Sequence, residues 1–124
     1  MASSLSLELY SDPWGIKKVL TDSDTSHNNM LILYAYQVEE IVLPELSEDA
    51  ASDAQTDDGT ELEFWDIDTE SLHELVLKRK SSYILTGNWN EDFIRRRNLN
   101  AGDEIGLQWD PYNNRFNFSV LMRA

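Results

Sequence analysis

The chain has 124 residues, and its ten Lys and Arg stand against 23 Asp and Glu, a net charge of −13. It holds no cysteine, which excludes a disulfide framework, thiolate zinc sites, iron–sulfur clusters and cysteine nucleophiles. Hydrophobic residues make up 41%, enough for one domain with a real core, while no apolar run reaches the roughly 18 residues of a membrane span and the first ten residues lack the basic start of a signal peptide, so a soluble intracellular protein is expected.

The charge is uneven. Residues 1–70 carry two bases and 17 acids, and residues 71–124 carry eight bases and six acids. The first half is therefore −15 and the second +2, with no base between Lys18 and Lys78. A strongly acidic sum argues against a nucleic-acid partner, but this asymmetry leaves room for a basic face on the second half.

Residues 1–13 read as a lead-in closed by Asp12-Pro13, and 14–124 as the domain. Trp14 to Leu20 reads as a first strand. Thr21 to Asn29 is a polar loop, and the apolar run Met30 to Leu33 a buried strand. Over 35–46, Val38, Ile41 and Val42 form one helical stripe, and Pro44 should end or kink it.

Residues 47–60 contain only Ala among apolar residues, with five acids and no base. That composition predicts a mobile acidic loop. Its Asp53, Gln55 and Asp57 have the odd spacing of a calcium loop. The sixth position, however, is Asp58 rather than Gly, and no Glu closes the motif, so no metal site is expected.

From Glu61 the pattern turns to β. Leu62 and Phe64, then after a shift Trp65 and Ile67, make one strand, and Leu72 to Lys78 makes the next. Tyr83 to Leu85 continues the sheet beyond a basic loop. Asn90 to Gly102 predicts a helix with Asn90 as N-cap. Glu91 and Asp92 open it and Arg95 to Arg97 close it, in the order that suits the helix dipole. Ile105, Leu107 and Trp109, then Phe116, Phe118 and Val120, alternate on both sides of Asp110 to Asn114, a hairpin signal. Many short strands and two short helices suggest a small barrel or sandwich.

Catalytic motifs are missing: there is no Gly-x-Ser-x-Gly and no phosphate-cradling glycine loop. His27 lies in a loop. His73 alternates with Leu72, and an exposed strand position suits it better than a ligand role. Trp14, Trp65, Trp89 and Trp109 sit among β-type apolar residues and are expected in the core, Trp89 under the second helix. Lys78-Arg79-Lys80-Ser81-Ser82 is different. It lies between strands, where donors can reach a phosphate or a base edge.

Three segments carry a resemblance: Lys17 to Asp24 (KKVLTDSD), Ser82 to Trp89 (SYILTGNW) and Leu99 to Leu107 (LNAGDEIGL). In this order they resemble the plant B3 superfamily of DNA-binding domains, most of all its divergent reproductive-meristem-like branch. The resemblance spans about 14–123. It implies a mainly β, seven-stranded open pseudobarrel with two short α-helices, acting in the nucleus in transcription regulation, without cofactor, metal or catalysis. It implies that double-stranded DNA is held in its major groove by two loop arms. The C-arm would supply Lys78, Arg79, Lys80, Ser81 and Ser82, and the N-arm Lys18, Thr21, Ser23, His27 and Asn29. Where the family's DNA-binding members carry a Lys and an Arg on the N-arm, this chain has His27 and Met30. Asp22 adds an acid, and Tyr34 replaces a Pro. Each cation missing from a phosphate weakens binding. The alternative is a protein-interaction module on the same fold, using the acidic segment toward a partner.

Overall fold

The computed structural model describes residues 12–124, so the lead-in expected over 1–13 lies, up to residue 11, outside the described residues. In chain order the elements are β1 (Ile16–Val19), α1 (Asp22–Thr25), β2 (Leu31–Leu33), the helical stretch α2, α3 (Glu48–Ala54), β3 (Thr60–Asp66), β4 (Ser71–Arg79), β5 (Tyr83–Gly87), α4 (Asn90–Arg95), β6 (Glu104–Asp110) and β7 (Arg115–Met122). α2 runs through Ala35–Gln37, Val38–Val42 and Leu43–Glu45, widening and then tightening its turns. Its last turn contains Pro44, which has no N–H to continue the ladder.

The seven strands form one sheet in the order β1-β6-β7-β3-β4-β5-β2. Every pairing is antiparallel except β3 with β7. The sheet curls into an open pseudobarrel, with β1 and β2 as its two edges. Strand alternation fills the interior. Ile16, Leu31, Leu33, Leu62, Phe64, Leu75, Leu77, Leu85, Ile105, Leu107, Phe116 and Phe118 are all buried.

Aromatic rings make the centre of this core. Phe64 stacks on Phe116 with ring centroids 5.0 Å apart, and Phe93 from α4 meets Phe118 edge-on at 4.7 Å. Trp89 stacks on Phe93 at 5.3 Å, under α4 as its neighbours in sequence predict. Aromatic pairs add about 0.5–1.5 kcal/mol beyond the area they bury. In the last hairpin Ile105, Leu107, Phe116 and Phe118 are buried, while Trp109 and Val120 are only half-buried at the sheet's margin. Trp14 and Trp65 are also half-buried, so Trp89 alone of the four is fully enclosed. Trp14 packs against β6 at Gly106, where a Cβ would come within 2.7 Å of the indole.

Several elements differ from the sequence reading, each for a physical reason. The acidic segment 47–60 is not a loop: α3 occupies its first half. Ser47 caps α3 by accepting from Ala50 N–H at 3.2 Å, Glu48 and Asp49 lie at the favourable end of the dipole, and Ala54 is fully buried. A single small side chain in the core thus anchors a helix that composition made look solvated. The polar stretch 21–29 likewise contains α1, closed by a capping box between Thr21 and Asp24.

Asn90 does not cap α4. Trp89 takes the cap position with helical backbone, and the Asn90 amide instead donates to Ser26 O at 2.9 Å. In β3 the alternation does not shift. Leu62, Phe64 and Asp66 all point inward, and Ile67 is left exposed. His73 is not exposed either. It faces inward from β4, edge-on to Phe93, and Leu72 takes the solvent side.

Candidate nucleic-acid interface

The open barrel has no backbone ladder between its edges β1 and β2, and side chains bridge them instead. Lys18 points inward from β1 and is 8% exposed. Its Nζ lies 3.0 Å from Asp24 Oδ2 and also donates to the Ile32 carbonyl on β2. Asp24, fully buried, accepts in turn from Ile32 N–H at 3.1 Å and from the Thr21 N–H and hydroxyl, both at 2.9 Å. A buried pair of this kind is stable only when its remaining hydrogen-bonding capacity is met, as it is here.

The loop between β1 and β2 is tied down again at its far end. Asn29 adopts a left-handed backbone, φ 58°, which asparagine tolerates. Its amide donates to Gly87 O at 2.6 Å and its Oδ1 accepts from Asn90 N–H at 2.8 Å. Thr86 Oγ1 donates to Asn29 O at 2.7 Å, and Trp89 Nε1 donates to Asp24 O at 2.8 Å. The Leu-Thr-x-Ser-Asp segment and the Tyr-x-Leu-Thr-x-x-Trp segment therefore grip each other.

Of the N-arm candidates, Lys18 is internal to the fold and its ammonium is engaged on both sides. Thr21 and Asn29 also have their side chains committed within the protein. Ser23 and His27 are exposed on the arm.

The C-arm is built differently. β4 and β5 meet in a tight turn in which Lys80 N–H donates to Ser82 O at 3.0 Å. Arg79, Lys80, Ser81 and Ser82 are exposed and Lys78 is half-buried. Arg79 lies 5.1 Å from the Tyr83 ring centroid and 4.0 Å from Glu39 Oε2, a half-exposed pair of small energetic weight. On the same side, Thr56 O accepts from Arg79 N–H at 3.1 Å, which brings the acidic turn after α3 alongside the root of the arm. The register sets Ile32, Ile84 and Lys78 in one row across β2, β5 and β4, so all three share a face of the sheet. The end of the N-arm and the tip of the C-arm meet over that row, around Met30, Ile32, Lys80, Ser81, Ser82 and Ile84.

The second basic cluster has another task. Asp66 is fully buried, and its Oδ2 accepts from Arg96 Nη2 and Arg97 Nη1, each at 2.6 Å. Burial pushes the Asp66 carboxyl up, but the two guanidiniums outweigh it and hold the carboxyl below the ordinary carboxylate value. Arg97 also reaches Asp68 at 3.1 Å. A string of contacts continues from Arg96 through Thr69, Ser71 and His73 to Asp92. It fastens the β3–β4 turn to α4. Sequence reasoning missed this cluster, although an acid at an inward strand position, Asp66, was the available signal.

A small, curled, seven-stranded sheet with two loops side by side defines the class: an open pseudobarrel domain. The family described as "B3 domain-containing protein At5g26805, C-terminal domain" matches residues 14–121, and the chain belongs to the plant B3 domain family. Among Arabidopsis thaliana relatives, it is 40% identical to the putative B3 domain-containing protein At1g78640 over 90% of this chain, and 38% identical to B3 domain-containing protein At4g02870 over 89%. It spans only 23% and 35% of those two proteins. It also spans 75% of B3 domain-containing protein At1g10455, at 35% identity over 93% of this chain. The fold is shared with the Arabidopsis FUS3–DNA complex, at TM-score 0.69 and 19% identity over 90% of this chain and 99% of that one. It is also shared with the Arabidopsis thaliana transcription factor LEC2–DNA complex, at TM-score 0.64 and 17% identity over 87% and 92%.

Proposed function

We propose that this chain is the duplex-DNA-binding module of a plant nuclear regulatory protein, and that it grips DNA chiefly through the C-arm. The observation that carries this reading is the tip of the β4–β5 turn. It offers Arg79, Lys80, Ser81 and Ser82 to solvent beside Lys78, on a rigid two-stranded base. Ammonium and guanidinium groups there suit phosphates and guanine edges, and the serine hydroxyls suit either kind of acceptor or donor. The family membership and the DNA complexes of two fold relatives support the reading. On the N-arm, Ser23 and His27 remain as polar contacts without a fixed charge, and Lys18, Thr21 and Asn29 position the loop.

A salt titration of binding to a random duplex pool tests this. The native chain should bind at low salt. Replacing Lys78, Arg79 and Lys80 together by Ala should flatten the dependence of log affinity on log salt, by about one unit for each phosphate the arm no longer neutralises. His27→Lys with Met30→Arg should tighten binding to all sequences. If the native chain binds no duplex at low salt and the double substitution does, the interaction module takes its place. That second reading has its own support in the exposed acids Glu61, Glu63 and Glu74 on the outer face of β3 and β4. There Glu63 stands directly opposite Glu74, a pairing unfavourable in isolation.

A further inference from the structure

Between the two arms the sheet presents carbon rather than charge. Ile32 and Ile84 lie side by side on the same face as Lys78, and Met30 extends that apolar strip toward the N-arm. With Lys80, Ser81 and Ser82 they line a cavity of about 190 Å³. The floor is apolar and one wall carries two exposed hydroxyls and an ammonium. The nearest cation of the N-arm, Lys18, is buried on the opposite side of the sheet and bonded to Asp24, so it cannot reach this floor.

We infer that this floor reads thymine, by taking its 5-methyl group against Met30 and Ile32, which are backed by the buried Ile84, while Lys80 or the Ser81 and Ser82 hydroxyls donate to the adjacent O4. The inference rests on the duplex-binding reading given above. Its logic is the chemistry of the major groove. The thymine edge is the one that sets a methyl group beside an acceptor, whereas cytosine offers a donor and guanine two acceptors with no apolar group. A site with an apolar floor and a donor-bearing wall matches the thymine edge, and Lys78, in the same row as Ile84, matches a neighbouring phosphate.

The experiment compares duplexes that differ by that methyl group. Duplexes enriched from a random pool by the native chain should contain thymine at the contacted positions. Replacing those thymines by deoxyuridine, which leaves every hydrogen-bonding group in place, should weaken binding about three- to fivefold per methyl removed. In Ile32→Thr and, separately, Met30→Ser, the thymine-to-uracil ratio should fall toward one while the salt dependence stays native. Circular dichroism would identify a variant that fails to fold, and either variant alone suffices. A ratio of one for a native chain that still binds duplex through its C-arm overturns the thymine inference and leaves the DNA reading intact. Absence of binding to any duplex at low salt overturns both.

Discussion

From Thr21 to Asn29 the loop between β1 and β2 is fastened at both ends, by Asp24 to β1 and β2 and by Asn29 to the β5–α4 junction. From Lys80 to Ser82 the loop between β4 and β5 is held by one backbone hydrogen bond at its tip, and its side chains point into water. Of the residues that make the first loop recognisable in sequence, Thr21 and Asp24 are consumed in fixing it, while Ser23 stays exposed. Of the residues that make the second loop chemically capable, Lys80, Ser81 and Ser82 have no such side-chain partners among the described residues, and Arg79 has only the half-exposed Glu39 and the Tyr83 ring. A family signature can therefore specify where an arm sits without specifying what the arm touches. The placement of the N-arm rests on Thr21, Asp24, Thr86 and Trp89.

Breaking the clasp should separate the two arms most sharply. Asp24→Ala leaves the Lys18 ammonium buried without its counter-charge and removes the acceptor for Thr21 and Ile32. We expect a loss of about 3–5 kcal/mol in urea unfolding, the range for one partner of a buried pair. The C-arm triple substitution should leave that unfolding free energy within about 0.5 kcal/mol of native.

Next in size is Asp66→Asn, which keeps the shape but withdraws the charge facing Arg96 and Arg97. A loss of about 3 kcal/mol is expected. The same carboxylate predicts an acid limb. Its folded pKa lies below its unfolded value of 3.8, as does that of Asp103, which is held down first by the Ala124 N–H and further by Arg123. Their stabilisation is fully present above the unfolded value and is lost as pH falls through the folded one. Thermal melts should therefore drop below about pH 4, and the drop should be shallower in Asp66→Asn. An equally steep drop in that variant would remove Asp66 as its source.

The smallest effect sharpens the comparison on the N-arm itself. Asn29→Ala removes two hydrogen bonds and a residue suited to positive φ, at a cost of about 1–2 kcal/mol. It should loosen the arm without altering the salt dependence of any DNA binding, because Asn29 supplies no charge. A changed salt slope would mean that the arm contributes phosphate contacts after all.

The strand pattern is legible in the sequence because alternation is a local property. Ile105, Leu107, Phe116 and Phe118 follow from period two alone. α3 is not legible. Its stability comes from Ala54 meeting the sheet and from Ser47 at the cap, and an acidic composition hides both. Asp66 escapes the pattern for a related reason: an inward acid looks like a break in the alternation until Arg96 and Arg97, thirty or so residues away in sequence, are known to meet it. At the site, the basic tip is visible as a cluster. The inward direction of Lys18 is hidden because Lys17 and Lys18 are chemically alike and only strand parity separates them.

The bridge across the seam also bears on how molecules of this chain meet one another. β2 is an edge strand, and its free N–H and C=O groups would ordinarily offer a template for a strand from another copy. At Ile32 both groups are already taken, the N–H by Asp24 and the carbonyl by Lys18. An inward-pointing lysine on the other edge, β1, is itself one of the devices that discourage edge-to-edge pairing. Variants that lose Lys18 or Asp24 should therefore do more than unfold sooner. They should self-associate through β2 more readily than the native chain, a difference that light scattering can follow.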